Sequence, residues 1–147
     1  MKVYMGSDHA GYAMKKVLHK YLEEKGMEVL DLGVFDEVNS VDYPDIAREV
    51  GEKVIENEGA FGVLICGTGI GMGIAANKVK GIRAATVHDA TTARLAREHN
   101  NANIVAFGQR IVGNQVAKEI LDAFFASEFQ GGRHGGRVEK ITAIEHE

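Results

Sequence analysis

The sequence predicts an α/β fold, a Rossmann-like three-layer sandwich with a five-stranded parallel sheet and a C-terminal helical arm. Short apolar runs alternate with helix-patterned runs along the whole chain, and glycines stand where strands would turn into helices. A repeated strand-helix order with short links implies right-handed crossovers, and hence a parallel sheet. The apolar runs are Val3 to Met5, Met27 to Leu30, Gly62 to Cys66, Ile82 to Val87 and Ile104 to Phe107. Each is nearly continuous, as in strands buried on both faces.

The helices follow from periodicity and punctuation. Met14, Val17, Leu18, Tyr21 and Leu22 recur at helical spacing, and Gly26 supplies a C-terminal stop. Pro44 opens the second helix, where its missing N–H costs nothing. The glycine-rich turn from Cys66 to Gly73 feeds a third helix through Ala75, Ala76 and Asn77. Asp89 caps a fourth, which ends at His99 before the turn-forming Asn100-Asn101-Ala102-Asn103. Val112, Val116, Ile120, Leu121 and Phe124 mark the fifth. From about residue 130 comes the arm: Gln130 to Arg137 carries four glycines and two arginines, and Val138, Ile141 and Ile144 form an amphipathic run. Its apolar side can bury on a second subunit or fold back on its own core.

Length and composition bound the function. At 147 residues the chain forms one domain, 1–147. A single cysteine cannot close an intramolecular disulfide, and the N-terminus turns polar at Ser7-Asp8-His9, so a cytoplasmic location is expected. No apolar run approaches the roughly 20 residues that cross a bilayer, so no membrane is expected. A net charge of -4 offers no broad positive field, so nucleic acid is not an expected partner, and any bound anion must meet a local cluster of cations.

Two turns are candidates for chemistry, because ligands of open parallel sheets bind beyond the carboxyl ends of the strands. Gly6-Ser7-Asp8-His9-Ala10-Gly11 sets an acid beside an imidazole, and Cys66-Gly67-Thr68-Gly69-Ile70-Gly71-Met72-Gly73 sets a thiol at a helix mouth. Free N–H groups there can hold an anion and favour a thiolate. Cys66 can therefore be a nucleophile or base, or simply a small core hydrophobe. Thr68 can cap the turn or help to hold an oxyanion. His19 and His146 are expected to be solvated, and His88 stands near the crevice as a minor candidate. Arg110, Arg133 and Arg137, joined by His9 or His134, could form the cationic cluster, since the guanidinium fork matches phosphate. Gly71-x-Gly73-x-x-Ala76, with Asp31 ending strand two, formally matches a dinucleotide fingerprint. It follows the third strand rather than the first and would fall inside a helix, which argues against it.

Taken together, Gly6 to Gly11, Asp42-Tyr43-Pro44, Ile65 to Gly69, Ala75 to Lys78, Glu98-His99-Asn100, Phe107 to Arg110 and Gly132-Arg133-His134 span nearly the whole chain. The chain resembles the type B ribose-5-phosphate isomerases, a family that includes the galactose-6-phosphate isomerase subunits. The resemblance implies a metal- and cofactor-free aldose-ketose isomerase working through a cis-enediolate on ribose 5-phosphate and ribulose 5-phosphate. It implies Cys66 as the proton-abstracting base, the turn Gly67, Thr68, Gly69, Ile70 and Gly71 around the enediolate, and His99 as the group that opens the furanose ring. It places Asp8 at the sugar hydroxyls, His9, Arg110, Arg133 and Arg137 around the phosphate, and Asn100 as a further polar contact. Some relatives use a glutamate a few residues after the cysteine position; here Ile70, Met72 and Ile74 offer no acid. Ala90-Thr91-Thr92 replaces the Pro-Tyr of many relatives, which leaves the role of His88 open. Because one chain carries the whole residue set, a homodimer, or a tetramer of paired dimers, is expected. A six-carbon sugar phosphate (allose 6-phosphate or galactose 6-phosphate), a non-catalytic phosphosugar-binding domain and a flavodoxin-like carrier are the alternatives. Cys66 ends strand three while His99 precedes strand five, so the two are expected at opposite ends of the sheet.

Overall fold

Along each central strand successive side chains face opposite sides of the sheet, and both sides are apolar. Val3, Met5, Val63, Ile65, Val105 and Phe107 enter one core, whereas Tyr4, Leu64, Cys66, Ile104 and Ala106 enter the other. That two-sided burial is why the strands read as continuous apolar runs. In the computed structural model, which describes residues 1–147, the elements are β1 (Lys2–Ser7), a 3-10 turn (His9–Gly11), α1 (Tyr12–Glu24), β2 (Glu28–Asp31), α2 (Tyr43–Glu56), β3 (Phe61–Cys66), α3 (Ile70–Ala76), β4 (Ala84–Thr86), α4 (Ala90–Asn100), β5 (Ile104–Gly108), α5 (Asn114–Ala126) and α6 (Arg133–Ile144). All four strand pairings are parallel, in the order β2-β1-β3-β5-β4. Helices α1, α4 and α5 supply the first core and α2 and α3 the second. No helix is long and apolar enough to cross a membrane.

The chain crosses to the other half of the sheet between β1 and β3, and a crevice opens there beyond the carboxyl ends. Local signals hold where they were expected. Pro44 lies in the first turn of α2. Asp89 caps α4 by accepting from Thr92 N–H at 2.7 Å, and Asn101, with φ +50°, ends that helix.

Three details differ from the sequence expectation. Strand β4 is only Ala84–Thr86, with Ile82 and Val87 buried on either side of it. The glycine-rich part of the arm is helical from Arg133, after left-handed turns at Gly131 and Gly132. That helix shares its apolar side between two fates: Val138 is 8% exposed, but Ile141 and Ile144 are 44% and 65% exposed. A groove of about 450 Å³ runs between it and the sheet edge, walled by Ile141, Ile144, Asn100 and Ala84. His19, finally, is half-buried between Glu23 and Asp31 rather than simply solvated.

Candidate active site

Three turns leave the sheet side by side, because Ser7 pairs with Ile65 and Cys66 with Gly108. Gln109 N–H donates to Cys66 O and Arg110 N–H to Gly67 O, each at 2.9 Å, which locks the turn after β5 to the turn after β3. Asp8 caps the 3-10 turn, its Oδ1 accepting from Gly11 N–H at 3.1 Å. Gly11 in turn packs so tightly on the Ile65 carbonyl that no Cβ could fit. His9 follows Asp8 with Nδ1 buried and without a protein partner. Buried polar atoms are seldom left unpaired in a native fold, and a ligand entering this crevice would satisfy this one.

Gly69 has φ +83°, and a Cβ there would lie 2.6 Å from Phe107 Cα, so only glycine follows this path. With that turn in place, Gly69 N–H donates to Cys66 Sγ at 3.0 Å. Cys66 is 6% exposed and packs in the core beneath α3, with its sulfur turned to the helix mouth where Gly69 N–H meets it. Thr68 Oγ1 accepts from Ile70 N–H at 3.2 Å, as a turn cap, and keeps its own proton to donate. The N–H groups of Gly67, Thr68 and Gly71 donate to no protein acceptor. The exposed Arg110 guanidinium lies across Gly67, with Nη1 3.0 Å from where a Cβ would stand. The result is a thiol, three free amide donors and a guanidinium on one small surface. Such a surface can accept a proton on sulfur and hold negative charge beside it.

The other predicted residues form a second group. His99 and Asn100 end α4, and Arg133 and Arg137 lie one turn apart at the start of α6. The His99 and His134 rings stack at 4.3 Å between centroids, with 11° between their planes. Lost hydration, then His99, Arg133 and Arg137, hold His134 below the usual histidine value, which disfavours a third cation beside the arginines. Gly62 N–H donates to Asn103 O in the turn just after α4, which fixes this group at the amino end of β3. From Gly62 to Cys66 is four strand steps, about 13 Å. The residues Asp8, His9, Cys66, Gly67, Thr68, Gly69, Ile70, Gly71 and Arg110 are thus brought together within the chain, and His99, Asn100, Arg133 and Arg137 are not brought to them.

Two residues escaped the sequence reading. The Tyr43 ring stands 2.7 Å from where a Gly71 Cβ would be, walling the crevice; the motif Asp42-Tyr43-Pro44 was its only signal. Lys15 is 1% exposed, with Nζ donating to Asp31 Oδ1 at 2.8 Å and to Val34 O. Burial pushes its ammonium down, opposed by the hydrogen bond it donates to Asp31. Asp31 also accepts from Gly33 N–H, so it is engaged by protein. Gly71 and Gly73 both lie within α3, which removes the dinucleotide fingerprint. His88 is exposed beyond β4. No three His, Cys, Asp or Glu side chains gather into a metal-binding group.

The model of one family, described as Ribose/Galactose Isomerase, matches residues 3–141. The chain is similar to ribose-5-phosphate isomerase B of Escherichia coli, with 46% identity over 144 residues that cover 98% of this chain and 96% of the relative. It is similar in structure to ribose-5-phosphate isomerase B of Clostridium thermocellum, with a TM-score of 0.97, 50% identity, and coverage of 99% and 98%. The Mycoplasma genitalium enzyme of the same name, solved with bound ribulose-5-phosphate, has a TM-score of 0.96 and 43% identity, and the match covers 99% of this chain and 97% of that one.

Proposed function

Because the chain belongs to the ribose/galactose isomerase family, we propose that it is an aldose-ketose isomerase interconverting ribose 5-phosphate and ribulose 5-phosphate, with Cys66 as the base. The observation that carries this reading is the Gly69 N–H donating to Cys66 Sγ, beside the free N–H groups of Gly67, Thr68 and Gly71. The thiolate takes the proton from C2 of the open-chain aldose. The C2–H electron pair becomes the C1=C2 bond, and the C1=O pair moves onto O1, where the turn's N–H groups and the Thr68 hydroxyl meet the charge. The thiol returns its proton to C1 as the C1=C2 pair forms the new C1–H bond, while the O2 proton passes to O1 and C2=O2 forms, which gives the ketose and restores the thiolate.

The remaining residues do the work before and around that step. Asp8 holds sugar hydroxyls, and His9 and Arg110 contribute to the phosphate pocket from the same end of the sheet. His99 opens the furanose by protonating the ring oxygen as its bond to C1 breaks, and Asn100, Arg133 and Arg137 complete the pocket. These last four come from a second copy of the chain, because within one copy they stand at the far end of β3. The working unit is therefore a homodimer.

Cys66→Ala is expected to fold normally and lose about 10²–10⁴-fold in turnover, the range for a positioned general base. Near-normal turnover by that variant would remove Cys66 from the mechanism. Allose 6-phosphate and galactose 6-phosphate, assayed beside ribose 5-phosphate with a chelator present, test the six-carbon alternatives.

A further inference from the structure

His134 has no part in the mechanism above, yet its ring covers that of His99. The two planes are within 11° of parallel and 4.3 Å apart. Neither ring nitrogen of His99 takes a hydrogen bond within the chain, so the stack is the contact that orients the ring. The stack is itself anchored. Gln130 N–H donates to Glu98 O at 3.0 Å, tying the start of the arm to the residue before His99, and His134 N–H donates to Gly131 O at 3.0 Å in the turn that opens α6.

We propose that His134 is a positioning residue, whose ring face holds the His99 imidazole edge-on to the sugar so that a ring nitrogen meets the furanose oxygen. The charged groups around the pair are Arg133 and Arg137 on α6 and, on α4, Glu98, which is itself paired with Arg94 at 2.7 Å. Two cationic imidazoles would repel each other at this separation. Lost hydration and the positive neighbours hold His134 below the usual histidine value, which disfavours a second cation at the stack.

The inference rests on the isomerase reading, and the test separates the two. Ribose 5-phosphate is mainly a closed furanose, whereas ribulose 5-phosphate is acyclic, because its C5 oxygen carries the phosphate. A residue that serves ring opening is needed for turnover from the first, whereas from the second the open-chain aldose can leave the site and close its ring in solution. His134→Ala is expected to lose roughly 10- to 100-fold in kcat from ribose 5-phosphate, the scale of a misplaced catalytic group, and to stay within about twofold from ribulose 5-phosphate. His134→Phe, which keeps a flat ring without a titrating nitrogen, is expected to recover most of the loss. His99→Asn should show the same one-sided defect more strongly. Equal losses in both directions for His134→Ala, or no loss, would overturn the positioning role, as would a His134→Phe variant that folds and is as defective as His134→Ala. A His99→Asn variant without the one-sided defect would remove the ring-opening assignment and this inference with it. A wild-type protein that turns over neither sugar would instead overturn the isomerase reading.

Discussion

If Cys66 and His99 act on one substrate, the site belongs to a pair of chains, and the pairing can be measured by mixing. Within one chain the strand from Gly62 to Cys66 separates the ends by about 13 Å, and His99 lies farther back, beyond the turn that receives the Gly62 N–H. No side chain spans that distance through a packed sheet. Cys66→Ala and His99→Asn proteins, each nearly inactive alone, are unfolded together in equal amounts and refolded so that chains redistribute at random. About half of the dimers are then mixed. In an isologous pair each mixed dimer has one site with both residues intact and one with neither. Half of the dimers, with half of their sites working, gives about a quarter of wild-type activity. The assay is ribulose 5-phosphate formation from ribose 5-phosphate, with exchange confirmed by native mass spectrometry. Activity no higher than the mean of the two parents, with mixed dimers demonstrated, would refute the shared site.

Two further outcomes test the halves separately. Replacing Arg133 or Arg137 by Ala is expected to weaken binding of ribose 5-phosphate by about 1.5–3 kcal/mol, the range for hydrogen bonds to charged groups, and to leave binding of unphosphorylated ribose unchanged; equal losses would limit the arm to a structural role. Gly69→Ala is expected to destabilise the fold by about 1–2 kcal/mol for the left-handed backbone and by about 1–3 kcal/mol more for displacing the Phe107 backbone, read from urea unfolding. A wild-type denaturation midpoint would show that the turn does not take this path.

The fold was legible because both sheet faces are apolar: Val3 and Tyr4, or Ile65 and Cys66, are adjacent residues in different cores. The turn from Cys66 to Gly71 was legible for a related reason. Gly69 and Gly71 stand where a Cβ would strike Phe107 or Tyr43, and Gly67 lies close under the Arg110 guanidinium, so the spacing of glycines records the close approach of those neighbours. The separation of Cys66 from His99 also followed from strand order alone. Tertiary contacts between distant segments were not legible. Lys15 reads as a solvated helix residue until the Val34 carbonyl and Asp31 meet its ammonium. His134 reads as one more cation until its ring is seen to cover His99. The glycines of 131–136 mark the start of the arm without showing where its helix begins: only Gly131 and Gly132 turn the chain, and Gly135 and Gly136 sit inside α6.

The end of α4 shows how stability and function are joined in this chain. Arg97, two residues before His99, is buried with Nη1 donating to Asn101 Oδ1 at 2.9 Å and to Ala102 O at 2.7 Å. Its guanidinium lies 4.8 Å from the Phe61 ring centroid and 5.8 Å from that of Phe124, while its Nε has no partner. The unpaired Nε–H costs about 1–3 kcal/mol. Two hydrogen bonds from a charged donor contribute about 1.5–3 kcal/mol each, and the ring contacts about 0.5–2 kcal/mol more, so the arrangement is favourable before the cost of burying the charge is counted. That cost is several kcal/mol, which brings the sum close to zero. Stability alone therefore gives little reason to bury an arginine here. What the burial does accomplish is to close the left-handed turn at Asn101 against the core, and that turn sets where α4 stops. The position of His99 is thereby fixed from within by Arg97 and from the side by the ring of His134, at the surface where a second chain would have to present its thiol.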